Sequence, residues 1–246
     1  MLRNRRLAYP VVLALAVSAP FILNGAHFRE ALTFSVIFAI LALSMDFIMG
    51  HMGQFSFGHQ AFFGLGAYTS AILTVKYGLS PWLGFLAAPA FTAALGVCVG
   101  FVALMREARG MYLALTTLGF GVVLALIVNH WWSFTGGALG LWGDLSLAID
   151  LPGLPEIRLQ SALSYYYFGL ALLVFQMYLI SRLLNSRFGR ALAAIRENEA
   201  LANSVGISTF KYYIVAFTVG CALAARSLSA DNAISAGELA GNERSG

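Results

Sequence analysis

The sequence predicts an all-α protein, built as a polytopic bundle of membrane-spanning helices. Hydrophobic residues make up 59% of the 246 residues and charged residues only 11%, and the mean hydropathy is +0.78. Soluble domains carry about 25% charged residues, so this composition indicates a membrane protein. The net charge of +4 comes from basic residues at the ends of apolar runs, so it does not indicate a nucleic-acid-binding surface.

Six segments are apolar over about 20 residues, the length that crosses a bilayer, and a seventh begins but stays short. They cover residues 7–23, 31–50, 54–75, 81–105, 111–130 and 163–181, and the seventh covers residues 212–225. The first resembles a signal peptide, but another span follows at once, so we expect an uncleaved helix. The third is rich in glycine at its start and could enter as a broken or re-entrant helix. We expect one transmembrane domain over residues 1–225, with a cytoplasmic loop at 182–211.

The basic residues of the short loops predict the orientation of the bundle. With the N-terminus in the cytoplasm, ten Lys and Arg residues lie inside and three lie outside. The inside set is Arg3, Arg5, Arg6, Arg106, Arg109, Arg182, Arg187, Arg190, Arg196 and Lys211, and the outside set is Arg29, Lys76 and Arg158. This asymmetry requires the third segment to cross fully, so we expect a cytoplasmic N-terminus.

Residues 50–70, with the sequence GHMGQFSFGHQAFFGLGAYTS, place glycine, histidine, glutamine and serine inside a membrane-embedded region. Lipid offers no hydrogen-bond partner, so polar groups at this depth must face other helices or a water-filled cavity. We therefore expect a substrate pathway here and at the polar start of the fifth span. Its candidate residues are Asp46, Gly53, Ser56, His59, Gly64, Gly66, Tyr68, Thr116 and Thr117.

Each of these candidates also has a structural interpretation. Asp46 is expected near the inner interface, where a structural or gating role is favoured over substrate binding. A lone buried histidine such as His59 is more often a hydrogen-bonded packing residue than a ligand. Small residues let membrane helices approach closely, which explains glycines such as Gly66 and the GxxxG pair Gly96 and Gly100.

The loop over residues 182–211 differs from the rest of the chain, because charged and apolar residues alternate in it at helical spacing. This pattern predicts an amphipathic helix that ends at Gly206, since glycine is a natural C-terminal stop. The helix is either a solvated connector between two spans or a coupling helix that inserts into a cytoplasmic motor subunit. Its candidate coupling residues are Arg190, Arg196, Glu197, Glu199, Ala200 and Gly206.

Three segments together closely resemble one family. They are GQFSFGHQAFFGLGAYTSAIL from Gly53, REARGMYLALTTLGFGVVLALIVNHWWSFTGGALGL from Arg106, and SRFGRALAAIRENEALANSVGISTFKYYIVAF from Ser186. The resemblance is to the permease subunits of branched-chain amino acid ABC importers, specifically to the M type of the two paired permeases, and it runs over about residues 31–224. The stretch ENEALANSVGI also looks like the Glu-Ala-Ala…Gly signature of ABC-importer permeases, which favours the coupling helix.

The resemblance implies a permease subunit of an ATP-driven importer for branched-chain or related small amino acids, in a bacterial inner membrane. It further implies a heterodimer with a second permease subunit, two cytoplasmic ATP-binding subunits, and a periplasmic binding protein that delivers the amino acid. Urea and short-chain amide permeases share the scaffold and are the alternative within transport.

The sequence contains no motif for binding ATP or a metal. No Gly-x4-Gly-Lys-Ser/Thr run occurs and the only lysines are Lys76 and Lys211, so ATP must be bound by partner subunits. No His-Glu-x-x-His run and no Cys/His cluster occurs, so we expect no metal, no cofactor and no enzymatic activity in this chain. Cys98 and Cys221 are expected to be small core residues without a disulfide.

Two further regions carry open alternatives. Residues 133–160 are rich in Gly and Pro, and we expect an external loop with a short interfacial helix near Leu145, either a connector or a docking surface for an extracytoplasmic partner. Residues 226–246 are polar where the family has further spans. We expect a disordered tail or the product of a frameshift or premature stop, and a truncated chain could instead be a non-transporting membrane assembly subunit.

Overall fold

The computed structural model describes residues 14–20, 26–105, 111–137, 148–149, 157–158 and 162–242, and these residues are nearly all helical. The helices are α1 (residues 14–20), α2 (Ala26–Asp46), α3 (His59–Ala71), α4 (Pro81–Met105), α5 (Met111–His130), α6 (Trp132–Thr135), α7 (Ala162–Leu184), α8 (Arg187–Glu197), α9 (Glu199–Ser204) and α10 (Thr209–Asn242). One antiparallel pair of two-residue strands, β1 (Ala148–Ile149) and β2 (Ile157–Arg158), accompanies them. The predicted all-α class is confirmed.

Four helices of the described part are long and apolar enough to cross a membrane. They are Glu30–Met52, which joins α2 to a π-helical turn (Phe47–Met52), Pro81–Ala103 in α4, Met111–His130 in α5 and Leu163–Leu184 in α7. The spans predicted over residues 31–50, 81–105, 111–130 and 163–181 are therefore confirmed as helices of membrane length. Only residues 14–20 of the predicted first span are described, and they are helical.

The helix of the third predicted span begins later than expected. The π-helical turn that follows α2 ends at Gly53, whose backbone is left-handed (φ +72°). The next helical residue is His59, so residues 54–58 are not helical, and a second π-helical turn (Ile72–Lys76) then extends α3. Glycine adopts a left-handed backbone without steric cost, which explains why the helix ends at this position.

Residues 53–58, called here the 53–58 segment, turn their polar side chains into the protein. Gln54 and Ser56 are buried, whereas Phe55 and Phe57 are about half exposed. Buried and exposed side chains thus alternate along residues 54–57, which separates the polar residues from the aromatic ones. In a membrane protein this places the polar groups among other helices, where they can find hydrogen-bond partners that lipid does not offer.

α10 lies in the middle of the bundle and packs against α2, α3 and α4. Its Phe217 and Cys221 are fully buried. The predicted packing role of the GxxxG pair is confirmed, because a Cβ added to Gly96 would lie 3.1 Å from Cys221 and one added to Gly100 would lie 3.1 Å from Phe217. Both cysteines are free, but Cys98 is exposed on the opposite side of α4, so its predicted core position is wrong.

The end of the chain and the predicted external loop are described only in part. α10 continues as a helix through Asn242, and its described side chains end at Arg226. The division into a membrane domain and a polar tail, and the origin of that tail, stay predictions. Leu145, most of residues 133–160 and five of the basic residues used for the orientation (Arg3, Arg5, Arg6, Arg106 and Arg109) lie outside the described residues.

Replacing Gly66 by Ala is expected to destabilise the contact between α3 and α10. A Cβ at Gly66 would lie 2.5 Å from the carbonyl oxygen of Ala225 and 2.6 Å from its Cα. Forcing a methyl group into a packed core costs about 1–3 kcal/mol. The matched control is G119A, since no heavy atom lies within 4 Å of a Cβ at exposed Gly119 and both changes gain the same helix propensity. Thermal unfolding of the purified chain in detergent measures the difference, and equal melting temperatures would contradict close packing at Gly66.

Candidate functional site

A groove of about 490 Å³ lies between α3 and α5. On α3 it is lined by Gln60, Gly64 and Tyr68, which are one helical turn apart and form a single stripe. On α5 the lining extends from Leu118 to Asn129, a length of roughly 16 Å at 1.5 Å per residue. The other lining residues are apolar or small, and include Phe57, Ala61, Gly121, Val122, Ala125 and Gly137. Because Gln60 and Leu118 are exposed, the groove is open along one side of the described bundle.

None of the described residues that line the groove carries a charged side chain. Its polar groups are the amides of Gln60 and Asn129 and the hydroxyl of Tyr68, set among aliphatic residues. A Cβ added to Gly64 would have no heavy atom of the described residues within 4 Å, so this glycine faces the groove rather than a described neighbouring helix. The groove therefore suits a small ligand without net charge that combines apolar surface with a few hydrogen-bonding groups.

The sequence analysis missed Gln60 and Asn129 as groove residues. Gln60 precedes Gly64 and Tyr68 by four and eight residues, so a search for one polar stripe on α3 would have found it. Asn129 stands alone in an apolar run, and the amide nitrogen donates within its own helix to the Ala125 carbonyl (2.9 Å). Only the packing of α5 against α3 brings this residue to the groove.

His59 joins three helices but does not line the groove. It is buried at the start of α3, and its Nε2 lies 2.9 Å from the Oγ of Ser44 on α2. The Ser44 hydroxyl donates to the Leu41 carbonyl (2.6 Å), so it accepts its second hydrogen bond from the protonated Nε2 of the histidine. The ring also lies against α10, because its Cε1 is 3.9 Å from the position of a Cβ at Gly220.

Thr117 fixes the 53–58 segment to α5. Its side chain is buried, donates to the Ala114 carbonyl (2.9 Å) and accepts a hydrogen bond from the backbone N–H of Phe57 (3.2 Å). Gly58 packs directly on the backbone carbonyl of Thr117, where a Cβ would clash. The neighbouring Thr116 is exposed and bonds only within its helix, to the Tyr112 carbonyl (2.8 Å).

The predicted pathway residues therefore lie in separate places. Gly64 and Tyr68 line the groove, Gly66 packs on α10, and Thr116 is on the outer surface of α5. Ser56 is buried in the 53–58 segment, and its hydroxyl has no hydrogen-bond partner among the residues that the structure describes.

Asp46 and Gly53 lie at the end of the bundle that carries α8, called here the α8 end. The carboxylate of Asp46 is 65% exposed, and its Oδ2 lies 4.0 Å from Nδ1 of His51. Arg196 reaches from α8 to the same place, where its Nη1 donates to the Gly50 carbonyl. A Cβ added to Gly53 would lie 3.3 Å from Cγ of Arg196, so the arginine stem packs against the bend that opens the 53–58 segment.

The predicted amphipathic helix of the loop is two helices rather than one. α8 begins after Ser186, whose Oγ accepts a hydrogen bond from the Phe188 N–H (3.1 Å). α9 begins after Asn198, whose side chain accepts from the Leu201 N–H (3.0 Å). Asparagine is a preferred N-cap, and its extended backbone here (φ −155°, ψ 105°) interrupts the helix. The expectation of one helix is therefore corrected.

The predicted stop at Gly206 is confirmed. Gly206 has a left-handed backbone (φ +87°), and its N–H donates to the Asn203 carbonyl (3.0 Å). The N–H of Ile207 donates to the Ala202 carbonyl (3.0 Å), which completes a Schellman motif at the end of α9.

α8 and α9 bury one face and expose the other. Leu192 and Ile195 of α8 pack into the core, together with the π-helical turn that follows α2. The candidate coupling residues Arg190, Arg196, Glu197, Ala200 and Gly206 are exposed, and Glu199 is partly buried. Leu201 and Val205 of this surface are 64% and 69% exposed, although both are apolar.

Comparison with known proteins identifies the family. The family described as branched-chain amino acid transport system, permease component, matches residues 28–227. The chain belongs to this family. The resemblance inferred from the sequence motifs is confirmed. The homologues and the apolar helices together indicate that the permease is a multi-pass membrane protein.

Individual relatives of the permease carry the same description. It is 31% identical to the high-affinity branched-chain amino acid transport system permease protein LivM of Escherichia coli (strain K12), over 90% of this chain and 56% of the relative, and equally to LivM of Salmonella typhimurium. It is 23% identical to LivH of Salmonella typhimurium, over 80% of this chain and 66% of that protein. The chain thus spans about half the length of the LivM proteins it matches. No solved structure matches it.

Replacing Ser44 by Ala is expected to destabilise the permease, because buried His59 loses its partner for Nε2. Leaving a buried polar group unsatisfied costs about 1–3 kcal/mol. The matched control is S35A on the same helix, since the exposed Ser35 hydroxyl bonds only to the Ala31 carbonyl (2.7 Å). The melting temperature in detergent should fall for S44A and not for S35A. If S44A has the same melting temperature as S35A, the Ser44–His59 bond does not stabilise the bundle.

Proposed function

We propose that this chain is the membrane-spanning permease subunit of an ATP-driven importer of branched-chain or related small amino acids, and that the substrate passes along the groove between α3 and α5. The observation that carries the proposal is this groove, uncharged and mainly aliphatic, in a member of the branched-chain amino acid permease family. An amino acid zwitterion has no net charge and offers an aliphatic side chain. The amides of Gln60 and Asn129 and the hydroxyl of Tyr68 supply hydrogen bonds for its polar end.

The topology that we propose has a cytoplasmic N-terminus, six full spans and a partial seventh, in a bacterial inner membrane. The two ends of α3 support the proposal that this segment crosses fully. Its start follows the bend at Gly53, which contacts Arg196 at the α8 end. Its π-helical extension ends at Lys76, whose Nζ donates to the carbonyl of Ser133 in α6. With α8 in the cytoplasm, the Lys76 contact lies on the outer side.

We further propose that α8 and α9 couple the permease to ATP-binding subunits in the cytoplasm. The sequence has no motif that could cradle ATP, so the energy must come from partners. Exposed apolar residues beside charged ones, at Leu201 and Val205, are typical of a docking surface. The family membership supports this assignment, and the relatives named LivM and LivH support pairing with a second permease subunit. A periplasmic binding protein would deliver the amino acid.

Narrowing the groove at Gly64 is expected to stop transport without disturbing the fold. In G64V the added methyl groups project into the groove, where a Cβ has no neighbour within 4 Å. The expected result is a fall in uptake of labelled leucine by roughly tenfold, which corresponds to about 1.4 kcal/mol. The measurement is uptake into proteoliposomes that contain the permease with its partner subunits and binding protein.

The control for this prediction is G119V. Gly119 is also a helix glycine with no heavy atom within 4 Å of a Cβ, but it does not line the groove. Uptake should persist in G119V. If G64V transports leucine as well as G119V does, the pathway does not run through this groove. If the wild-type complex takes up urea but not leucine, the substrate proposal is wrong.

Replacing Leu201 by Ser is expected to weaken binding of the ATP-binding subunits by roughly tenfold. The reason is that the complex would lose an apolar contact that docking buries. Leu201 is 64% exposed in the chain, so the fold itself should not depend on it. The matched control is A193S on the exposed face of α8. Co-purification of the ATP-binding subunits in mild detergent measures the effect, and undiminished recovery with L201S would place the docking surface elsewhere.

A further inference from the structure

The 53–58 segment connects the α8 end of the bundle to the groove. It begins at the left-handed bend of Gly53, and four residues later the side chain of Phe57 lines the groove. The groove extends from there toward Gly137, which follows α6 at the opposite end. The ring of Phe57 thus stands at the end of the groove nearest to α8.

The start of the segment is held from α8. The carbonyl of Gly50 belongs to the last turn before the helix ends, where carbonyl groups lack a partner along the helix. Arg196 donates to this carbonyl, and its stem lies against Gly53. A cation at a helix C-terminus is also favoured by the helix dipole. One side chain of α8 therefore sets the position at which the segment leaves α2.

The far end of the segment is held from α5. The N–H of Phe57 donates to the Thr117 hydroxyl (3.2 Å), and Gly58 lies on the Thr117 backbone carbonyl. Phe57 is thus carried by a short non-helical stretch between a contact with α8 and a contact with α5. Even when fully extended, four residues span about 14 Å at most, so the length of the segment limits how far α8 can shift relative to α5.

We infer that the 53–58 segment is the closure of the groove at the α8 end, and that Arg196 is the positioning residue through which α8 controls it. Arg196 acts through the Gly50 carbonyl and the bend at Gly53 and does not itself touch the substrate. Displacement of α8 pulls on the start of the segment and moves Phe57 relative to the groove. The inference rests on the proposed function for its role in transport, but the mechanical link can be tested without transport.

The first test measures access to the groove from the α8 side in membrane vesicles. The reporter is A125C, because Ala125 is an exposed lining residue of α5. Exposed Cys98 is replaced by Ser, and buried Cys221 is retained as background. A membrane-impermeant maleimide is added to each vesicle face, and A200C on α9 marks the face that carries α8.

R196Q is expected to raise the labelling rate of A125C from the α8 side by roughly three- to tenfold, because a charge-assisted hydrogen bond no longer holds the segment. R196K keeps a positively charged donor, which R196Q lacks, and should restore most of the slow rate. The matched control is R187Q, since Arg187 is exposed on the same helix and its side chain makes no hydrogen bond or ion pair with the described part of the chain. Equal labelling of R196Q and R187Q would overturn the inference.

A second variant acts on the other side of the same contact. G53A places a Cβ 3.3 Å from the Arg196 stem on a left-handed backbone, so it should also loosen the bend and raise labelling. If the R196Q variant does not insert stably into the membrane, the test rests on G53A alone. An unchanged labelling rate of A125C in G53A would then overturn the inference.

The transport assay separates this inference from the proposed function. In the complete complex, R196Q is expected to lower leucine uptake several-fold while the ATP-binding subunits still co-purify and hydrolyse ATP. Loss of co-purification would make Arg196 a docking residue and overturn its positioning role. A wild-type complex that fails to transport leucine would contradict the proposed function, whereas the labelling result would still decide whether Arg196 positions the segment.

Discussion

A bilayer offers no hydrogen-bond partner to a peptide group, and the rest of this structure depends on how the chain meets that constraint where it leaves α2. Between Gly53 and His59 the backbone is not helical, so its polar groups need partners from the protein. The Thr117 hydroxyl accepts a hydrogen bond from the N–H of Phe57, and the segment buries the side chains of Gln54 and Ser56. Just before the segment, Arg196 donates to the carbonyl of Gly50 in the π-helical turn. The irregular backbone is thereby enclosed by α5, α8 and the core. Irregular backbone that is exposed to lipid does not occur in the hydrocarbon region, so the segment depends on the neighbouring helices.

This enclosure requires helices that approach closely, and the bundle achieves it with small residues at the contacts between α10 and its neighbours. Gly66 lies on the backbone of Ala225, and Gly220 leaves room for Ile48 and the ring of His59. Between helices in lipid the hydrophobic effect gives little net attraction, so close packing and buried hydrogen bonds hold the bundle together. The Ser44–His59 bond is of this kind, because it joins α2 to α3 through two buried side chains.

The fold class and most helices could be predicted from the sequence, because apolar runs of about 20 residues have few alternatives in a membrane. The stop at Gly206 was also predictable, since glycine at a helix end has one common geometry. The break at Asn198 was not, because the apolar spacing of α8 continues in α9 and only a single capping side chain interrupts it. Cys98 was misplaced for a related reason. In an α4 that is apolar on all sides, the pattern does not reveal which face meets the protein and which meets lipid.

The sequence motif around residues 53–68 contains part of the groove lining but does not separate lining residues from packing residues. Gly64 and Gly66, two residues apart, have different environments. A helix turns by about 100° per residue, so positions two apart face nearly opposite directions. Gly66 is therefore directed to α10 and Gly64 to the groove. Composition does not distinguish these two glycines, and only the neighbouring helices show that Gly66 packs on α10 and Gly64 lines the groove. The same reasoning applies to Thr116 and Thr117, of which one faces outward and one holds the segment that borders the groove.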